Sequence, residues 1–186
     1  MRLPVLVARN YVLAELHGTV KITTSYPGCV RLGYSLVGIF DKLYDRGIWQ
    51  CSGDVVFDGD AVFGQGSKIS VGINGKLSVG KGFRNSAKGE FVCHEQMRLG
   101  AGSLVSWDTL FMDTDSHQID GKPASAPVEV GDNVWIGCRC MVLKGAVIPN
   151  GSVVAAGATI TKALESEKSL FGGVNKVLRT NIEWNE

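Results

Sequence analysis

Three polar residues alternate within the segment MDTDSHQIDGKPASAP, residues 112–127: Asp113, Asp115 and His117. In an extended chain every second side chain points the same way, so all three would share one side. A carboxylate near an imidazole raises its basicity and fixes its tautomer, which makes a general base that works near neutral pH. In such an arrangement His117 would be the candidate proton acceptor. Asp115, Asp113 or a backbone carbonyl would each serve to orient the ring. The same residues also suit a solvated loop, and the elements around them decide between the two.

Those elements follow an unusual rhythm. From Val130 the chain reads VGDNVW, IGCRCM, VLKGAV, IPNGSV, VAAGAT, ITKALE. The first position is always aliphatic: Val130, Ile136, Val142, Ile148, Val154 and Ile160. Four residues on stand Val134, Cys140, Ala146, Ser152, Ala158 and Leu164, mostly small. Before them come Asn133, Gly145, Gly151 and Gly157, with Arg139 as the exception. A helix repeats its apolar face at 3.6 residues and a strand at 2, so a period of six is neither. One short strand plus one sharp turn gives six residues, and three such units close a triangular coil of about 18 residues, stacked at about 4.8 Å. Earlier runs keep the step less strictly: Phe57, Phe63 and Ile69, followed by Ala61, Ser67 and Ile73, then Ala87, Cys93, Leu99, Val105 and Phe111. Residues 57–162 would make about six coils. The predicted organisation is a cap with imperfect first coils over 1–50, a β-helix over 51–162 interrupted by a loop at 112–127, and a tail over 163–186. The fragments Val20–Thr24, Val30–Gly33 and Val37–Phe40 read as strands without a phase.

This rhythm, with VWIG at 134–137, resembles the hexapeptide-repeat acyltransferase superfamily. The likeness is greatest to its sugar and polysaccharide O-acetyltransferase branch, which includes the galactoside and maltose acetyltransferases. The resemblance covers about residues 57–180. It implies an all-β fold, a left-handed parallel β-helix with an extruded loop and a short C-terminal tail or helix. The handedness comes from the resemblance alone, because parallel crossovers are ordinarily right-handed. It further implies that His117 takes the proton from an acceptor hydroxyl while that oxygen attacks the acetyl-CoA thioester, with Asp115 as orienting partner. Asn85 in GFRNSAKGEF would hydrogen-bond the sugar, or else be a turn residue in left-handed geometry. Asp113 and Trp107, the latter beside Asp108, would face the acceptor.

Trp135, Gly157, Ala158, Thr161 and Lys162 would line the pantetheine arm. Lys176 and Arg179 would meet the CoA phosphates, or else lie on a solvated helix face. The tail LFGGVNKVLRT departs from the family's closing segment, since Val174 and Asn175 replace its Pro-Ala. Trp135 falls on the outside and suits a packing surface or subunit contact equally. Acetyl-CoA as cosubstrate, a saccharide or nucleotide-sugar acceptor, a homotrimer and a role in surface polysaccharide synthesis complete the expectation. Opposed to it stand a non-catalytic assembly scaffold and a zinc hydratase like the γ-class carbonic anhydrases.

Metal chemistry has little support in the sequence. Cys138-x-Cys140 lacks a second pair at zinc spacing. The histidines are only His17, His94 and His117. No phosphate-binding G-x-x-x-x-G-K-[ST] occurs. Composition narrows the rest. Nineteen Lys and Arg against 18 Asp and Glu leave a net charge of +1, which argues against a nucleic-acid binder. The 24 glycines among 186 residues are nearly twice the usual share of roughly 7%, and they exclude a long-helix bundle. Leu3 to Ala8 is far short of the ~20 residues of a membrane span, so no integral membrane segment is expected. Five cysteines, an odd number, fit reduced thiols and a cytoplasmic location.

Overall fold

A computed structural model describes residues 3–35, 37–41 and 43–185. Every sixth-position aliphatic of the regular run points into the interior: Val130, Ile136, Val142, Ile148, Val154 and Ile160 are each at most 1% exposed. The small positions lie beneath the corners, also buried. Asn133, Arg139, Gly145, Gly151 and Gly157 all take positive φ, between 52° and 77°. Arg139 therefore adopts the corner geometry that glycine favours, at a cost the flanking ladders must offset.

The strands wind in seven coils among the described residues. Coil one is β1 (Val5–Val7), β2 (Tyr11–Leu16) and β3 (Thr19–Ile22); coil two is β4 (Val30–Leu32), β5 (Gly47–Cys51) and β6 (Asp54–Phe57). Coil three is β7 (Ala61–Gln65), β8 (Lys68–Val71) and β9 (Lys76–Val79); coil four is β10 (Phe83–Ala87), β11 (Glu90–Cys93) and β12 (Gln96–Leu99). Coil five is β13 (Leu104–Val105), β14 (Leu110–Met112) and β15 (Val128–Val130); coil six is β16 (Trp135–Ile136), β17 (Met141–Leu143) and β18 (Val147–Ile148). Coil seven is β19 (Val153–Val154), β20 (Thr159–Ile160) and a single bridge from Ala163 to Val147.

Each strand pairs in parallel with the strand one coil away, so three sheets form. The first face holds β1, β4, β7, β10, β13, β16 and β19, the second runs from β2 to β20, and the third from β3 to β18. The tail adds β21 (Leu170–Gly172), parallel to β19, and β22 (Lys176–Arg179), antiparallel to β21. The tail thus forms strands where a helix was the alternative, and residues 180–185 follow them as irregular chain.

The winding starts at Val5, well before the first residue that the period phases. The strands Thr19–Ile22 and Val30–Leu32 overlap the predicted Val20–Thr24 and Val30–Gly33, but Val37–Phe40 is a turn in the long insertion between Leu32 and Gly47. Ile73, placed by the period in an inward slot, is 80% exposed, because Gly72 to Gly75 make a wider corner.

In-register stacking of identical positions fills the column with aromatic rings. Phe91 lies on Phe111 with centroids 4.9 Å apart and planes 8° from parallel, and Phe63 meets Phe91 edge-on at 5.1 Å. Each buried ring contributes about 1.5–3 kcal/mol. Close coil packing explains part of the glycine content: a Cβ on Gly100 would stand 2.0 Å from the carbonyl oxygen of Gly131.

Candidate active site

The long extruded loop leaves the second face after Met112 and rejoins the third at Val128, at the corner between those faces. Its root is buried. Phe111 and Asp113 both face inward, each 0% exposed. The Asp113 carboxylate accepts the backbone N–H groups of His94 and Glu95, at 2.7 and 2.8 Å, in the corner of coil four. A buried carboxylate holding two backbone donors is a structural fastening, so Asp113 does not meet an acceptor.

Beyond the root the two limbs run antiparallel. Thr114 bridges Ser125, the Asp115 N–H donates to the Ala124 carbonyl at 2.8 Å, and the Ala126 N–H donates to the Asp113 carbonyl at 2.9 Å. A turn at Asp120 and Gly121, both at positive φ, closes the tip. Ser116, at φ 61°, breaks the extended alternation. Asp113, Asp115 and His117 consequently do not share one side. The Asp115 carboxylate pairs with the ammonium of Lys144, whose Nζ also donates to the Pro123 carbonyl at 3.0 Å. Asp115 is thus engaged elsewhere than on the imidazole. His117 is exposed and makes no hydrogen bond or ion pair among the described residues.

Asn85 is 0% exposed and lies inside the column between the inward Phe83 and Ala87. Its Oδ1 accepts from the Ser67 hydroxyl at 2.6 Å, and its Nδ2 faces the carbonyls of Val105 and Ser106 at 3.5 and 3.3 Å. It reaches no acceptor, nor is it a left-handed turn residue. Trp107 is half-buried at the corner between the first and second faces, where its carbonyl accepts the Arg139 N–H. Strand β14 separates it from the His117 loop, so the two are neighbours in sequence and stand at opposite edges of one face.

The expected cofactor residues are spread over two faces. Gly157 is exposed at the first corner with open space around it, but its N–H donates to the Cys138 carbonyl. Ala158 is 1% exposed, and both its backbone groups serve the coil. Thr161 is bound by the tail: its N–H donates to Asn175 Oδ1 at 2.8 Å, and its hydroxyl accepts from Asn175 Nδ2 at 2.7 Å. Asn175, at φ 52°, therefore closes the turn where Pro-Ala is absent. Lys162, Lys176 and Arg179 are exposed and form no ion pair among the described residues. Trp135 is 40% exposed on the first face and packs against Trp184 of the tail, with centroids 6.1 Å apart. The Trp184 indole N–H donates to the Asn133 carbonyl at 2.9 Å. The packing partner of Trp135 is thus its own chain.

Two features escape sequence reasoning. One is Lys144. Its signal is position, a corner lysine before Gly145 in the coil after the loop. The other is the 33–46 insertion, whose Asp45 binds Lys88 at 2.9 Å above a cleft of about 380 Å³ lined also by Arg46, Lys68, Glu90 and Asp108. Among the described residues no three His, Cys, Asp or Glu side chains are placed to share a metal ion.

The bacterial transferase hexapeptide family (six repeats) matches residues 127–162. The chain carries the transferase hexapeptide repeat. Its three-sided column is the left-handed parallel β-helix that this repeat builds. A Staphylococcus aureus protein named as an inferred acetyltransferase is 35% identical over 63 residues, 34% of this chain and 32% of its own length. A Schizosaccharomyces pombe protein, named likewise, is 38% identical over 72 residues, 36% of this chain and 35% of its own. The hexapeptide-repeat chain thus spans about a third of these relatives where they match. In fold it is similar to the polySia-specific acetyltransferase NeuO: TM-score 0.57, 17% identity, 96% of this chain and 90% of that one.

Proposed function

We propose that the protein is an acyl-CoA-dependent O-acetyltransferase that moves acetyl from acetyl-CoA to a saccharide hydroxyl, with His117 as general base. One observation carries this reading. The long break in the regular part of the coil presents an exposed imidazole, unpaired among the described residues, on a loop whose Asp113 and Asp115 carboxylates are both occupied in holding it. A side chain left free on so heavily fastened a loop fits a reacting group better than a packing one. The names of the matching relatives support acetyl transfer, and the fold likeness to a polysialic-acid enzyme supports a sugar acceptor.

The neutral imidazole accepts the proton of the acceptor hydroxyl as that oxygen bonds to the thioester carbonyl carbon. The tetrahedral oxyanion then collapses, the carbon–sulfur bond breaks, and the CoA thiolate takes the proton from the imidazolium. Acetyl ester and free CoA thiol balance the step. Positioning both reactants in one groove would supply roughly 7–11 kcal/mol and the base about 10²–10⁴-fold. Gly157 and Ala158 cannot offer their N–H groups to the oxyanion, since the coil uses both.

The second face carries outward Val92, Leu110, Met112, Met141 and Leu143 in register, with Met141 43% exposed. Such an apolar sheet surface suits a homotrimer, in which a neighbouring subunit would supply the walls that His117 lacks within its own chain. A nucleotide-sugar or glycan acceptor, work in the cytoplasm and surface polysaccharide synthesis belong to the same reading.

The test is thiol release from acetyl-CoA across a panel of nucleotide sugars and glycans. Wild-type protein should release thiol with at least one acceptor. His117→Ala should keep its melting temperature and oligomeric state while losing nearly all of that rate. A His117→Ala variant with most of the rate intact overturns the base assignment, and failure of every acceptor favours the scaffold.

A further inference from the structure

We propose that Lys144 is a positioning residue whose ammonium clamps both limbs of the 113–126 loop and so fixes where the His117 imidazole stands. The inference deepens the reading of His117 as base and rests on it, but the clamp itself has a readout that needs no catalysis.

Lys144 belongs to coil six, at the corner directly after the coil that throws out the loop. It precedes Gly145, whose φ of 77° makes the corner turn, and it follows the outward Leu143. Its Nζ pairs with the carboxylate of Asp115 on the outgoing limb and donates to the carbonyl of Pro123 on the returning limb at 3.0 Å. The Gly145 N–H reaches the Ala126 carbonyl at 3.4 Å. One cation thereby holds two strands of the loop at the level where Asp115 and Ala124 are hydrogen-bonded to each other.

Outside that level the loop has few ties. Asp113 fastens the root to coil four, and the Lys122 N–H closes the tip turn on Ile119 at 3.0 Å. Between them, residues 116–118 are joined to the column through the limbs that Lys144 gathers. His117 stands two residues beyond Asp115, so any swing of that limb displaces the imidazole directly. The lysine side chain is 23% exposed and the aspartate 36%, which screens the pair less than an open surface pair. Lysine chemistry fits such a clamp, because three rotatable donors can satisfy a carboxylate and a carbonyl that are not coplanar.

Amide hydrogen exchange on the full chain reads the clamp without substrate. Lys144→Met keeps the aliphatic stem and removes both contacts. It should speed exchange at residues 114–124 by roughly tenfold or more, while the β11 and β17 amides stay protected. Lys144→Arg should restore most of the protection. With acetyl-CoA and a working acceptor, Lys144→Met should lower kcat by about 10–100-fold, with KM for acetyl-CoA within about twofold. Unchanged exchange in Lys144→Met overturns the clamp, and a loosened loop with unchanged kcat overturns the positioning role. If Lys144→Met loosens the loop but His117→Ala stays active, the clamp stands and the base assignment alone fails.

Discussion

Among the described residues two long loops leave this column, and both are tied back by a lysine that binds a loop aspartate. Residues 33–46 leave the first corner of coil two and are held by the Lys88–Asp45 pair, by Lys88 4.2 Å over the Phe40 ring, and by Gln65 Nε2 on Asp45 at 3.2 Å. Asn10 Nδ2 adds a bond to the Asp45 carbonyl at 2.8 Å. Residues 113–126 leave the second corner of coil five and are held by Asp113 and by Lys144. What the loops show to solvent differs. The first exposes Ile39, Leu43 and Tyr44, and the second exposes His117. The carboxylates of Asp45, Asp113 and Asp115 are all engaged in fastening, which leaves the exposed tip side chains as the groups open to a partner.

The largest expected effect separates the tips. His117→Ala should cost about 10²–10⁴ in turnover, whereas Tyr44→Ala at the other tip should leave kcat within a few-fold. Equal losses in the two variants would mean that the loops share the reacting site. Next comes the foundation that the loops have in common. Phe91 lies in β11, between Glu90 at the cleft and the corner that fastens Asp113. Phe91→Ala should cost about 3–5 kcal/mol by opening a cavity under both loops, which calorimetry would read as a lower melting temperature. A smaller effect is local. Lys88→Met removes a half-buried ion pair and a cation–π contact, about 1–2 kcal/mol. It should raise proteolytic nicking within 37–45 several-fold and leave 113–126 untouched.

The column was legible wherever a coil is three hexapeptides, because packing then repeats one aliphatic and one small inward position every six residues. It was not legible before residue 57. There the strands run to five and six residues, β2 carries an irregularity between Leu13 and Glu15, and the 33–46 insertion separates two strands of one coil. Val37–Phe40 reads as a strand because it is apolar, yet its Phe40 serves to cover Lys88. At the site, the loop and its histidine are visible in the sequence, but the roles of Asn85 and Asp113 are not. A period of two places them: Phe83, Asn85 and Ala87 face inward together, as do Phe111 and Asp113. Polar residues in such slots are satisfied by neighbouring coils, and those partners are far away in sequence. For the same reason local spacing points Asp115 at its neighbour His117, whereas its actual partner lies 29 residues on, at Lys144.

The smallest expected effect concerns the thiols beneath the two corners. Burial pushes the Cys93 thiol up to about 12, with the charge and hydrogen bonding of neighbouring Asp113 adding to the shift, and burial also raises Cys51 and Cys140. Cys29 is buried as well, while Cys138 is half-buried at the first corner. Native protein at pH 8 should therefore alkylate first at Cys138, with the other four reacting only on unfolding. The sign of the pH effect follows. A thiol whose folded pKa exceeds its unfolded value of about 8.5 keeps its proton longer in the native state, so unfolding releases protons above that pH. Stability from these groups is fully present below about pH 8 and declines as pH rises from there toward 12. Melting temperature should fall on that alkaline side, and Cys93→Ala should flatten part of the fall. If Cys93 instead alkylates at pH 8 as fast as Cys138, the root of the His117 loop opens in solution, and the fastening through Asp113 is weaker than its two short hydrogen bonds imply.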